Sequence, residues 1–247
     1  MVSGFLVLIS FFTRIPIGHK IEYNEENFKS ALSLYSLMGA VIGLVLFLLS
    51  LLGNIFEINY VKGLLLTFSY TIITGGIHFD GSADTVDGLF SGRTGEKVFE
   101  IMSDSRIGAF GVLCLIFIVL SQFVLFSNVS IFVCFLVPIV GRASLVVGAY
   151  KKKYAKKAKG MGTIFIESIN TKVLINNIII LIITCIIMPE RLILLSSSFI
   201  TLIFSLLISK WIEKKIGGMT GDTCGFITEI SQIIFMFTVL FMEGALA

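Results

Sequence analysis

Apolar stretches long enough to cross a bilayer recur along this chain, and no other feature limits its fold so strongly. A membrane-spanning helix needs about 20 mostly apolar residues. Seven stretches meet that length, at roughly 30–53, 60–76, 108–127, 129–148, 172–188, 190–209 and 226–243. Residues 4–12 are apolar but short, which suits an interfacial or re-entrant segment. Composition agrees. Of 247 residues, 56% are hydrophobic and 14% charged, against about 25% charged in soluble domains. The expected fold is all-α: a polytopic membrane helix bundle of about seven spans, making one integral membrane catalytic domain over residues 1–247.

Short turns and long polar segments alternate between the spans. The short turns are Asn54–Asn59, Ser127–Asn128 and Met188–Glu190, and the long segments are 13–29, 77–107, 149–171 and 210–225. Odd crossings place every long segment on one face. Lysine and arginine concentrate there, and only Lys62 and Arg191 fall near the short turns. The positive-inside rule then assigns the long segments to the cytoplasm. The chain is expected in the cytoplasmic membrane, with its N-terminus inside, its C-terminus outside and lipid as its surroundings. Arg14 follows the apolar start where a cleavable signal would carry small residues. A net charge of +3 is too small to indicate nucleic acid as a partner. A homo-oligomer is compatible with everything above. Four cysteines, Cys114, Cys134, Cys185 and Cys224, form no CxxC pair and read as small buried residues.

All five aspartates lie in the long segments or where these meet a span. The densest run is Gly75–Gly88, holding His78, Asp80, Asp84 and Asp87. Spacing of i, i+4, i+7 puts three carboxylates within an arc of about 60° on a helix. Unpaired, they repel one another, and a divalent cation removes that cost. Hard oxygen ligands suit Mg²⁺, which commonly takes one or two carboxylates and completes its shell with substrate phosphates. His78 reads either as a proton carrier or as a partner of Asp80 or a backbone carbonyl. Two histidines in the whole chain exclude a His-rich zinc site.

Other polar groups stand against the spans. Asp104 is placed to cap the span that follows it, or to join Arg106 in binding substrate; the planar fork of Arg106 suits phosphate. The glycine-rich loop Gly217–Gly225 carries Thr220 and Asp222, and Glu229 follows Asp222 at i+7 on the same helical face. A carboxylate two turns into a membrane helix marks a functional site by default. Arg142 lies within a span, and Arg14 stands in Phe11–Pro16, where it either snorkels or binds a ligand. Six lysines between Lys151 and Lys159 anchor topology against anionic lipid or supply counter-charge to a phosphorylated substrate.

These stretches resemble the cobalamin synthase family, adenosylcobinamide-GDP ribazoletransferase. The matching runs are FFTRIP at Phe11–Pro16, GGIHFDGSADTVDGL at Gly75–Leu89, IMSDSRIGAFG at Ile101–Gly111 and GDTCGFITEIS at Gly221–Ser231. Ser103, Cys224 and Phe79 depart from the residues usual there, and no carboxylate or arginine is lost. The resemblance implies Mg²⁺-dependent attack by a hydroxyl of α-ribazole, or of its 5′-phosphate, on the corrin-side phosphorus of adenosylcobinamide-GDP, with GMP leaving. It implies Asp84, Asp87, Arg106 and Glu229 as catalytic residues. Arg14, His78, Asp104, Arg142 and Thr220 would contact substrate, and Asp80, Asp84, Asp87 and Asp222 would ligate the metal.

Three rival readings stand beside it. CDP-alcohol phosphotransferases share Asp84-x-x-Asp87-Gly88, but Arg93 is at the wrong offset and the downstream aspartates are missing. A membrane prenyltransferase also binds diphosphate through aspartates and Mg²⁺. A cation transporter predicts carboxylates near the midplane, whereas these gather at one face. Topology is tested with cysteines introduced at Ser91 and Ala158 in sealed vesicles. Both are expected to label from the cytoplasmic side, and labelling from opposite sides overturns the arrangement.

Overall fold

The computed structural model describes residues 2–17, 23–55 and 58–246. The centre of the Asn54–Asn59 turn and residues 18–22 of the first polar segment lie outside the described residues. The helices are α1 (Val2–Phe12), α2 (Glu25–Ala31), α3 (Tyr35–Asn54), α4 (Asn59–Thr74), α5 (Ile77–Phe90) and α6 (Glu96–Met102), then α7 (Ala109–Asn128), α8 (Ile131–Ala149), α9 (Met161–Glu167), α10 (Thr171–Ile187), α11 (Arg191–Ile216) and α12 (Gly221–Leu246). A 3-10 turn, Leu32–Leu34, joins α2 to α3. An isolated bridge between Tyr154 and Met219 is the extended pairing among the described residues.

The bundle is the all-α membrane architecture expected, with a different count of self-sufficient spans. Five helical units are long and apolar enough to cross alone: Glu25–Asn54, α7, α8, α11 and α12. A sixth arises if α9 and α10, bent by 84°, count together. The stretch expected at 60–76 falls short. Its helix α4 has 16 residues and is about 24 Å long, against a hydrocarbon core of about 30 Å. Gly75 and Gly76 end it, with φ of 64° and 68°, a left-handed conformation that glycine adopts without penalty. The chain then resumes as α5. Arg14 mends part of the break: its backbone N–H donates to Ile73 O at 2.7 Å.

Helix α8 is the axis of the bundle, packing against α3, α10, α11 and α12. Small residues let backbones approach. Gly39 and Gly43, one turn apart on α3, face α8. A Cβ at Gly39 would stand 2.6 Å from Pro138 O, and one at Gly43 would collide with Phe135 O. Such small-residue seams are how helices associate where lipid removes the hydrophobic drive. On α11, Ser197, Thr201, Ser205 and Ser209 form a buried stripe, and Ser205 Oγ donates to Ser144 O at 2.5 Å. Large apolar side chains point outward instead, among them Leu48, Phe68, Phe117, Ile183, Phe199 and Phe241. In water this surface would be unfavourable; facing acyl chains it is the favourable one.

The long polar segments meet at one end, as their alternation predicted. Lys156 bonds Asp222, Lys157 bonds Glu96, and Ala155 N–H donates to Met219 O. At the other end Lys62 is 7% exposed, and its Nζ donates to Val129 O at 3.0 Å, beside the last turn of α7. A cation suits that position. Replacing Gly43 by Leu should force α3 from α8 and cost about 1–3 kcal/mol, the usual penalty of overpacking. A lowered thermal midpoint in detergent is the expected reading; an unchanged midpoint would show that the seam tolerates separation.

Candidate active site

Helix α5 builds the site. It packs antiparallel to α12 and to α7, with Gly225 against the His78 backbone and Gly81 against that of Asp222. Going outward, it rises past the starts of both neighbours and carries Asp80, Asp84 and Asp87 to the mouth of the bundle. A Cβ on Gly81 would lie 2.8 Å from Asp222 Cα, so glycine here brings the carboxylates of two helices together. Asp80, Asp87 and Asp222 lie within electrostatic reach of Asp84. Partial burial, then the charges of Asp80 and Asp222, push the Asp84 carboxyl up to about 6, against the opposing pull of Lys156. Lys156 Nζ bonds Asp222 at 2.9 Å.

Asp87 does a second job. Its Oδ2 accepts from Gly108 N–H at 2.7 Å and its Oδ1 from Gly111 N–H at 2.9 Å. It thereby satisfies the orphan donors that open α7 and sits at that helix's positive end. Side chains at Gly108 and Gly111 would collide with this carboxylate. Asp104, one candidate for that cap, does not provide it. Its oxygens instead accept from Arg106, from Nε at 3.0 Å and from Nη2 at 2.8 Å. These bonds hold the Asp104 carboxyl down at about 2. The Arg106 side chain is 87% exposed, on the loop that Asp87 anchors through Gly108.

Thr220 is fully buried and caps α12. Its Oγ1 accepts from Thr223 N–H while Thr223 Oγ1 accepts from Thr220 N–H, a reciprocal box that fixes the helix start. Thr220 Oγ1 also donates to Asp222 at 3.3 Å. Arg14 packs its side chain against Gly75 and shares a groove with Thr74, Gly76 and Asp80. His78 is buried, lies 6.1 Å from the Phe12 ring, and its Nε2 has no partner.

Glu229 and Arg142 are not brought to the mouth. Both are fully buried, and Glu229 lies two turns, about 10 Å, below Asp222 along α12. Glu229 accepts from Tyr70 OH at 2.7 Å and from Gln122 Nε2 at 2.7 Å. Gln232 Nε2 donates to Tyr70 OH at 2.8 Å, and Arg142 Nη1 approaches the same oxygen at 3.4 Å. This network ties α4, α7, α8 and α12 together. Tyr70 and Gln122 were not singled out from the sequence. A polar group inside each of two apolar spans was the available signal. Lys156 was visible only as one of six lysines.

Among the described residues, no three His, Cys, Asp or Glu side chains form a preformed metal cage. Mg²⁺ does not need one. Asp80, Asp84 and Asp222 offer hard oxygens that repel one another and open outward, a donor set that fits it. Asp87 keeps lone pairs beyond its two backbone bonds.

Comparison with known proteins places the chain. A family model described as cobalamin-5-phosphate synthase matches residues 4–240. Adenosylcobinamide-GDP ribazoletransferase of Alkaliphilus oremlandii is 36% identical over 98% of this chain and 99% of its own. Proteins of the same name from Acetivibrio thermocellus and Caldanaerobacter subterraneus are 36% and 38% identical, each over 94% of this chain and over 94% and 96% of their own. No solved structure matches. Four motifs gathered at one end of a helical membrane bundle, and a match over nearly the full length, have one meaning: this chain belongs to the cobalamin-5-phosphate synthase family.

Proposed function

We propose that this protein is a membrane transferase joining adenosylcobinamide-GDP to α-ribazole, or to its 5′-phosphate, with release of GMP. The relatives' names supply the donor and the group joined to it, and the carboxylate mouth of Asp80, Asp84 and Asp222 supports transfer at a diphosphate. A hydroxyl oxygen of the acceptor bonds to the corrin-side phosphorus. The bond from that phosphorus to the bridging oxygen breaks, GMP carries the oxygen away, and the hydroxyl proton is released. Phosphoryl transfer of this kind rests on positioning and charge stabilisation more than on covalent chemistry.

Mg²⁺ held there would neutralise the diphosphate and polarise its oxygens. Asp80, Asp84 and Asp222 are its ligands in this reading. Asp87 adds its remaining lone pairs while bonded to the start of α7. Arg106 presents a fork matched to phosphate at the exposed rim, where a phosphate can take the place of Asp104. Arg14 faces the groove of Asp80. Thr220 fixes Asp222, and Arg142 and Glu229 hold the helices beneath in register. Lysine and arginine at the mouth orient it toward the cytoplasm. A cation path through the bundle has weaker support, since both oxygens of Glu229 are already bonded.

Asp84→Asn and Asp222→Asn keep size and remove charge. Each should raise the Mg²⁺ concentration needed for half-maximal GMP release and lower turnover by about 10²-fold. Wild-type Mg²⁺ curves in both normally inserted variants would move the metal elsewhere. Arg106→Lys replaces a planar fork with a point charge. It should weaken use of adenosylcobinamide-GDP by about tenfold, the loss of one charge-assisted hydrogen bond. An unchanged KM for that substrate would remove Arg106 from the site.

A further inference from the structure

Next to the carboxylates lies a half-open cavity of about 230 Å³. Helices α1, α2, α5, α8, α9 and α12 supply its walls. Phe12, Phe28 and Phe165 line it, all nearly or fully buried, with His78 set among them and Met161 at the start of α9. Phe12 and Phe165 meet edge to face with ring centroids 6.0 Å apart. Asp80 and Asp222 also border it, so the cavity adjoins the reacting end.

Its size and chemistry restrict what enters. Sites for drug-sized molecules run from about 300 Å³ upward, so a corrinoid is excluded and a single ring system is not. Edge-to-face aromatic walls suit another flat ring. Away from the carboxylate rim, His78 is the polar side chain in the wall, and its Nε2 is buried without a partner. A buried polar group left unpaired is costly, and a ligand with one polar ring atom relieves that cost. Guanine has several donors and acceptors on its edge, most of which would go unpaired here.

We propose that this cavity binds the base of the acceptor nucleoside, an apolar bicyclic heteroaromatic ring. The ring packs against the wall that Phe12 and Phe165 form together and shares a hydrogen bond with His78. Its sugar then emerges beside Asp80 and Asp222, where the hydroxyl is needed. The assignment rests on the transfer reaction above, and its test separates the two.

Benzimidazole is the probe. Equilibrium dialysis with the purified full chain in detergent should show saturable binding that guanosine does not displace. In GMP-release assays, benzimidazole should raise the apparent KM for α-ribazole and leave that for adenosylcobinamide-GDP within twofold. Met161→Trp fills the cavity from its edge and should abolish benzimidazole binding. His78→Phe keeps a ring but removes the hydrogen bond, which should raise the α-ribazole KM about 5–10-fold. His78→Gln should recover part of that loss. Absence of saturable binding, or competition against adenosylcobinamide-GDP instead, overturns the cavity assignment. So does an α-ribazole KM unmoved in both Met161→Trp and His78→Phe. Failure of the wild type to release GMP with both substrates would instead overturn the transfer reaction, and the dialysis result would still decide the cavity.

Discussion

A polar backbone inside an apolar bundle must find its hydrogen bonds within the protein, and the break between α4 and α5 is where this chain meets that demand most directly. Two glycines with positive φ end α4 early, and the N–H of Arg14 takes up the Ile73 carbonyl. The repair has structural consequences. It docks the N-terminal segment at the break, putting α1 and the Phe12 ring beside His78. It also lets α5 pack between α7 and α12 as a separate short helix with a carboxylate on each successive turn.

Two further interactions hold the mouth open. Asp87 bonds two N–H groups at the start of α7, and Thr220 with Thr223 closes the start of α12. Each satisfies a helix end that would otherwise need water or a ligand. Beneath them, Glu229, Tyr70, Gln122, Gln232 and Arg142 cross-link four helices. Hydrogen bonds within such a network reinforce one another in surroundings of low dielectric, and a missing member leaves its partners exposed to the full cost of burial. Rigid support below and mutual repulsion above is a sensible division for a site that takes up a cation with its substrate.

Much of this was legible in the sequence. Length and continuity of the apolar stretches disclosed a helical membrane bundle, and alternation of short turns with long polar segments put the motifs at one end. Spacing alone put Asp80, Asp84 and Asp87 on one helical face. What it could not disclose was depth. Asp222 and Glu229 share a face at i+7, yet one borders the mouth and the other is sealed two turns below. Nor could local pattern separate Asp87 from Asp104 as the cap of α7. The cap comes from 21 residues away in sequence, whereas Asp104 spends its oxygens on its neighbour Arg106. The stretch at 60–76 is a helix as expected, but hydropathy does not register that Gly75 and Gly76 turn the chain out of it.

The shortness of α4 reaches beyond the protein itself. Helices α11 and α12 have 26 residues each against 16 in α4, a difference of about 15 Å along the axis. Where α4 alone faces lipid, its apolar wall is shorter than the hydrocarbon core of a bilayer. A bilayer accommodates such mismatch by thinning locally or by letting the protein tilt. Either response bears on the end of α4, where Arg14 packs against Gly75 and shares a groove with Asp80. Acyl-chain length thus becomes a physical variable of the site, alongside its side chains.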